Sequence, residues 1–129
     1  MAHYSLLITS APSSTEATIA AHQFARALSG QGYTLSTIFF YGEGIHHTNS
    51  LSTPPSDEYP FYTNWCDIQK TTGCELLVCI TAAVKRGVVS DAEATEHSLP
   101  ASNLQPPFIQ AGLGEFFTAL HQSQHLVQF

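Results

Sequence analysis

The chain has 129 residues, of which 11% are charged, and its four Lys and Arg against ten Asp and Glu give a formal net charge of −6. That length suits one domain with a proper core and is too short for a second. So few cations exclude strong direct nucleic-acid binding, because releasing counterions from phosphates takes several Lys or Arg contacts. The charged fraction is about half that of an average soluble protein, and the neutral surface this leaves predicts burial between subunits.

The start, Met1-Ala-His-Tyr-Ser-Leu-Leu-Ile8, has no basic segment and turns polar at Thr9-Ser10, too soon for a signal peptide. No run approaches the roughly 18 apolar residues of a membrane span. The expectation is a cytoplasmic protein with one domain over residues 1–129 and no membrane partner. Tyr4 to Ile8 is a strand candidate, and the hydroxyl-rich turn Ser10-Ala-Pro-Ser-Ser-Thr15 leads into a helix. Ser13 and Glu16 have capping-box spacing, Ala17, Ala20, Ala21, Phe24 and Leu28 share a face, and Gly30 or Gly32 ends the element.

Leu35 to Tyr41 is β-branched and aromatic and reads as the second strand. A long Gly, Ser, Thr, Asn and Pro-rich connection follows from Gly42 to Pro60, with a short helix over 44–49. Asp57, Glu58 and Pro60 mark a helix start, and Phe61, Trp65 and Ile68 then share a face until Gly73. Glu75-Leu-Leu-Val-Cys79 is a third strand, followed by a helical stretch through Val84. Ser90 caps a further segment that Pro100 closes. Pro106 to Gln110 is a short strand, 113–123 a helix with Leu113, Phe116, Phe117 and Leu120 inward, and His125 to Phe129 a last strand. Strands alternating with helices predict an α/β fold with a five-stranded, mainly parallel sheet and helices on both faces.

In such sheets chemistry collects beyond the carboxyl ends of the strands, where Cys79 falls. The stretch after it, Ile80-Thr-Ala-Ala-Val-Lys-Arg-Gly87, carries two of the four basic residues. A thiol with helix amides ahead of it and Lys85 and Arg86 nearby is placed to ionise below the free value of about 8.5. Thr81 can add a hydroxyl, and Ala82 and Ala83 leave room for a partner group. The competing reading is a strand-end cysteine buried as a small hydrophobe.

Other candidates are weaker. Three cysteines stay as thiols in a reducing compartment, and Cys66 and Cys74 read as packing residues. His46-His47 reads as a solvated loop pair, since no further ligands at metal-site spacing accompany it. The hydroxyl-rich loop Thr9 to Thr15 stands where flavodoxin-like proteins cradle a flavin phosphate, but Pro12 sits in its middle and it lacks a glycine for close approach. A flavin- or phosphate-ligand protein is therefore the alternative of another class.

Several motifs in register are similar to the DsrE/TusD family of sulfur-relay proteins. Cys79-Ile-Thr-Ala-Ala-Val-Lys-Arg-Gly-Val-Val89 resembles its cysteine motif, and Phe39-Phe-Tyr-Gly-Glu-Gly44 the end of its second strand. Leu51-x-Thr-Pro-x-x-Asp-Glu58, Ser102-Asn-Leu-Gln105, Ala111-Gly-Leu-Gly114 and Val127-Gln-Phe129 resemble further segments, so the likeness extends over nearly the whole chain. Ala11-Pro12 stands where the family has Gly-Pro, Thr81 where alanine is common and Lys85 where arginine is usual.

The resemblance implies a sulfurtransferase subunit in which Cys79 accepts sulfane sulfur as a persulfide, with Thr81, Lys85 and Arg86 stabilising the anion and no metal or organic cofactor. It also implies TusB- and TusC-like subunits in a heterohexamer, an upstream persulfide donor and a TusE/DsrC-like acceptor. The sulfur then ends in 2-thiouridine at the tRNA wobble position or, in a DsrE-type relay, serves sulfur oxidation. Direct contact with tRNA is not expected of so acidic a chain.

Overall fold

Five strands, β1 (His3–Ile8), β2 (Thr34–Phe40), β3 (Glu75–Cys79), β4 (Phe108–Ala111) and β5 (His125–Gln128), form one sheet in the order β4-β3-β2-β1-β5. All four pairings are parallel. The computed structural model describes residues 2–129, and Met1, where the N-terminal reading begins, lies outside them. The connections carry α1 (Thr15–Gly30), a 3-10 helix (Gly42–Thr48), α2 (Phe61–Thr72), α3 (Ile80–Lys85), α4 (Asp91–Glu96) and α5 (Leu113–His121).

Neighbouring strand residues point to opposite faces, and Phe39 and Phe40 show what each face holds. Phe39 stacks on Phe116 of α5, centroids 4.3 Å apart and rings 13° from parallel. Phe40 meets Trp65 of α2 edge-on at 5.1 Å. Helices thus lie on both faces, with α1 packed beside α2. Phe39, Phe40 and Trp65 are fully buried, and burying a large apolar side chain contributes about 2–3 kcal/mol.

Two ends follow the sequence signals. Gly73 closes α2 in the left-handed conformation, φ 71°, which glycine adopts without strain. Ser90 and Glu93 form a full capping box, with the Glu93 N–H donating to Ser90 Oγ at 3.2 Å and the Ser90 N–H to Glu93 Oε1 at 2.9 Å.

Four details differ. The helix α1 starts one residue later than its capping-box spacing implies, so Ser14 occupies the N-cap and makes no side-chain cap bond. Its buried stripe is Thr18, Ala21, His22, Ala25 and Leu28, whereas Ala20 is exposed; the polar His22 turns inward because Tyr59 supplies a hydroxyl 2.5 Å from Nδ1. Asp57 and Glu58 precede α2 without entering its first turn. In α5, Phe116 is buried, but Leu113 is 46% and Phe117 56% exposed, so the expected inward face is split between core and surface.

Candidate active site

Three adjacent strands end at one cleft of about 540 Å³. Tyr41 and Gly42 follow β2, Cys79 ends β3, and Gly112 and Leu113 follow β4. The helix α3 closes the cleft with Ile80, Thr81, Ala82, Lys85 and Arg86. All four residues singled out from the sequence, Cys79, Thr81, Lys85 and Arg86, therefore line one space.

Cys79 is both the last residue of β3 and the N-cap of α3. Leu76, Leu77 and Val78 anchor the strand in the core, and Ala82 and Ala83 let α3 sit close to it. The result is a cysteine only 4% exposed that nevertheless lines an open cleft. Backbone N–H groups at the start of α3 have no partner within the helix, which gives this end of the cleft positive polarity.

The two cations differ in how they are held. Arg86 donates from Nε to Glu43 Oε2 at 2.9 Å and from Nη1 to the Ala82 carbonyl at 3.1 Å. Lys85 is exposed and has no ion pair among the described residues. Glu43, on the 3-10 helix after β2, belongs to the Phe39 to Gly44 motif, yet nothing local marked it as a partner of Arg86. Tyr41, Gly112 and Leu113 were equally unmarked as walls; only the sheet order brings them beside Cys79. The loop beyond α3 is pinned by Asn103, which accepts from Val89 N–H at 2.8 Å and donates to the Gly87 carbonyl at 3.0 Å.

The remaining thiols and histidines lie elsewhere. Cys74 is buried and Cys66 half-buried, and burial pushes both thiols up from their ordinary range. His46 and His47 part company: His46 faces Glu43 at 3.8 Å, whereas His47 is 1% exposed in the core. Among the described residues no group of three or more His, Cys, Asp or Glu is placed to hold a metal ion, and no helix is long and apolar enough to cross a membrane.

The hydroxyl-rich loop after β1 opens on a different cleft, about 660 Å³, lined by Pro12, Ser13, Thr15, Ser52 and Thr53 together with Asp57 and Glu58. Two carboxylates beside the N-terminus of α1 repel a phosphate, which weighs against a flavin mononucleotide there.

Comparison with known proteins adds to this geometry. The chain is 43% identical over 129 residues to the sulfurtransferase TusD of Serratia proteamaculans (strain 568), covering all of both chains. It is 38% identical over 126 residues to that of Salmonella newport (strain SL254), covering 98% of each. The crystal structure of the YchN protein from E. coli superposes with a TM-score of 0.78 over the full length of both chains at 15% identity, a likeness of fold. The model of the DsrE/DsrF-like family matches residues 2–129, and the chain belongs to that family.

Proposed function

We propose that this protein is a sulfurtransferase of a sulfur relay and that Cys79 is the residue that carries the sulfur. Full-length kinship to sulfurtransferases supports the activity. The observation that carries the site is the position of Cys79, the one thiol of three that lines a cleft beyond the strand ends. The reading treats residues 1–129 as one domain of this kind.

The step balances without an external oxidant. Cys79 thiolate attacks the outer sulfur of an incoming persulfide, R–S–SH. A new S–S bond forms at Cys79, the donor's S–S bond breaks, and the electron pair leaves with its inner sulfur as the thiolate RS⁻. The Cys79 persulfide ionises at neutral pH, and the α3 amides, Thr81, Lys85 and Arg86 stabilise that anion. Delivery is the same exchange in reverse, with an acceptor thiolate attacking the outer sulfur. No cofactor enters either step.

Related TusB- and TusC-like subunits and a TusE/DsrC-like acceptor are the partners this role requires, with wobble 2-thiouridine as the end product and the cytoplasm as the compartment. An apolar margin supports a protein partner, since exposed apolar groups gathered in one place mark interaction surfaces. Tyr41, Ile80 and Leu113 line the cleft and are each 40–46% exposed. Val84 and Phe117 lie one helical turn beyond Ile80 and Leu113 and are 40% and 56% exposed. Nucleic acid is not a direct partner in this reading, because only four Lys and Arg are present in the chain.

Incubation with a persulfide donor followed by peptide mass spectrometry tests the role of Cys79. One added sulfur on the Cys79 peptide of the wild type, and none in Cys79→Ser, is the expected result. Sulfur that never reaches Cys79, even with partner subunits present, would sink it.

A further inference from the structure

We propose that Glu43 is a positioning residue for sulfur transfer at Cys79, acting through Arg86; the inference rests on the persulfide role of Cys79. Glu43 lies on the 3-10 helix that follows β2, and Arg86 caps α3, so their ion pair ties together the two segments flanking the cleft. The pair lies at the surface, but Arg86 is held at more than one point. Arg86 is fixed at a second point by the Ala82 carbonyl and its side chain is 27% exposed, while that of Glu43 is 60% exposed.

A guanidinium has five N–H donors in a planar fork. Two are engaged here, one by Glu43 and one by Ala82, which leaves the others free on a side chain that lines the cleft. An unrestrained arginine spreads over many rotamers and presents those donors to an anion only part of the time. Glu43 removes that freedom. Lys85, without such a partner, offers a mobile charge instead, so the structure divides the work between a fixed fork and a free ammonium.

A cost accompanies the arrangement, because the Glu43 carboxylate offsets part of the Arg86 charge. Positioning and charge are therefore separable by substitution. Glu43→Gln keeps an oxygen that accepts from Arg86 Nε while dropping the charge, and Glu43→Ala removes both.

The test is the rate at which full-length protein takes one sulfur onto Cys79 from glutathione persulfide, followed by intact mass across a range of donor concentrations. Glu43→Ala is expected to load about fivefold more slowly, the upper end of what an exposed ion pair supplies, with the same final stoichiometry and thermal midpoint. Glu43→Gln restores loading to within about twofold of wild type. In an Arg86→Ala background, Glu43→Ala has no further effect, as a pair acting through one contact requires.

Four results overturn the proposal: Glu43→Ala loading at the wild-type rate or faster, failure of Glu43→Gln to rescue, an undiminished Glu43→Ala effect without Arg86, or a slowed rate that tracks a lowered thermal midpoint. Each leaves the role of Cys79 standing. Wild-type protein that takes up no sulfur at Cys79 overturns that role and this proposal together.

Discussion

The indole N–H of Trp65 donates to Nδ1 of His47 at 3.0 Å, and both side chains are buried. Accepting at Nδ1 leaves the ring proton on Nε2, which donates to the Ser10 carbonyl at 3.0 Å. One neutral imidazole thus ties α2 to the loop after β1. Beside it, His22 packs edge-on against Trp65 at 4.1 Å.

These two rings make stability depend on pH. Burial, aided by His47 and Arg26, lowers His22 from 6.5 to about 3. Burial also lowers His47 from 6.5 to about 4, with its bond to Ser10 opposing and His46 assisting. Below pH 6.5 the unfolded chain binds protons that the folded chain refuses, so stability rises with pH there. The contribution is complete above the unfolded value and is lost as pH falls through a window from 6.5 down to about 4 for His47 and about 3 for His22. Urea unfolding across that window should lose several kcal/mol, since each tenfold difference in proton affinity between the folded and unfolded ring is worth about 1.4 kcal/mol. His47→Gln should be less stable at neutral pH yet show a slope shallower by one proton; an unchanged slope would refute the assignment.

Phe116 and Phe117 separate core from surface on α5. Phe116→Ala removes a buried ring from its stack on Phe39 and should cost about 3–5 kcal/mol in denaturant unfolding. Phe117→Ala should stay within about 0.5 kcal/mol of wild type, as exposed positions do, while weakening association with partner subunits in sedimentation. Equal losses of stability would show that both rings serve the core.

Gly44 has no room for a side chain. A Cβ there would lie 2.0 Å from the Ile8 carbonyl oxygen and 2.7 Å from its carbon, both backbone atoms that cannot swing aside. Gly44→Ala must push the 3-10 helix off the end of β1, at a cost of about 1–3 kcal/mol. Because Glu43 rides on that segment, the variant should also load sulfur more slowly than wild type at a temperature where both remain folded. A normal thermal midpoint would contradict the contact.

Cys66 and Cys74 should be dispensable for transfer. Burial holds both thiols protonated beyond their ordinary range, and neither lines the Cys79 cleft. Cys66→Ala/Cys74→Ala should take up one sulfur at the wild-type rate in the mass-spectrometric assay. A rate loss greater than its loss of stability explains would place one of them on the transfer path.

Local pattern carried much of this architecture. The span of β3, that of β1 to within one residue, the glycine stop of α2, the Ser90 cap and the place of Cys79 between strand and helix follow from side-chain periodicity and end signals, which act over a few residues. The parallel α/β class followed from the alternation of those elements. Resemblance over the whole chain pointed to the family that the comparisons then established.

What only the tertiary structure decided is how distant polar groups meet. The bonds of His22 and His47 come from Tyr59, Trp65 and Ser10, on segments far away in the chain. Nothing in the His46-His47 pair distinguishes a solvated ring from a buried one until those partners are in place. Strand order is likewise non-local: β5 pairs with β1, and β2, β3 and β4 lie side by side, so Tyr41, Cys79 and Gly112 share a cleft although they are far apart in sequence. Sequence determines the elements because their hydrogen bonds and periodic faces are short-range; the site arises where separate elements end together, which is a property of the folded sheet.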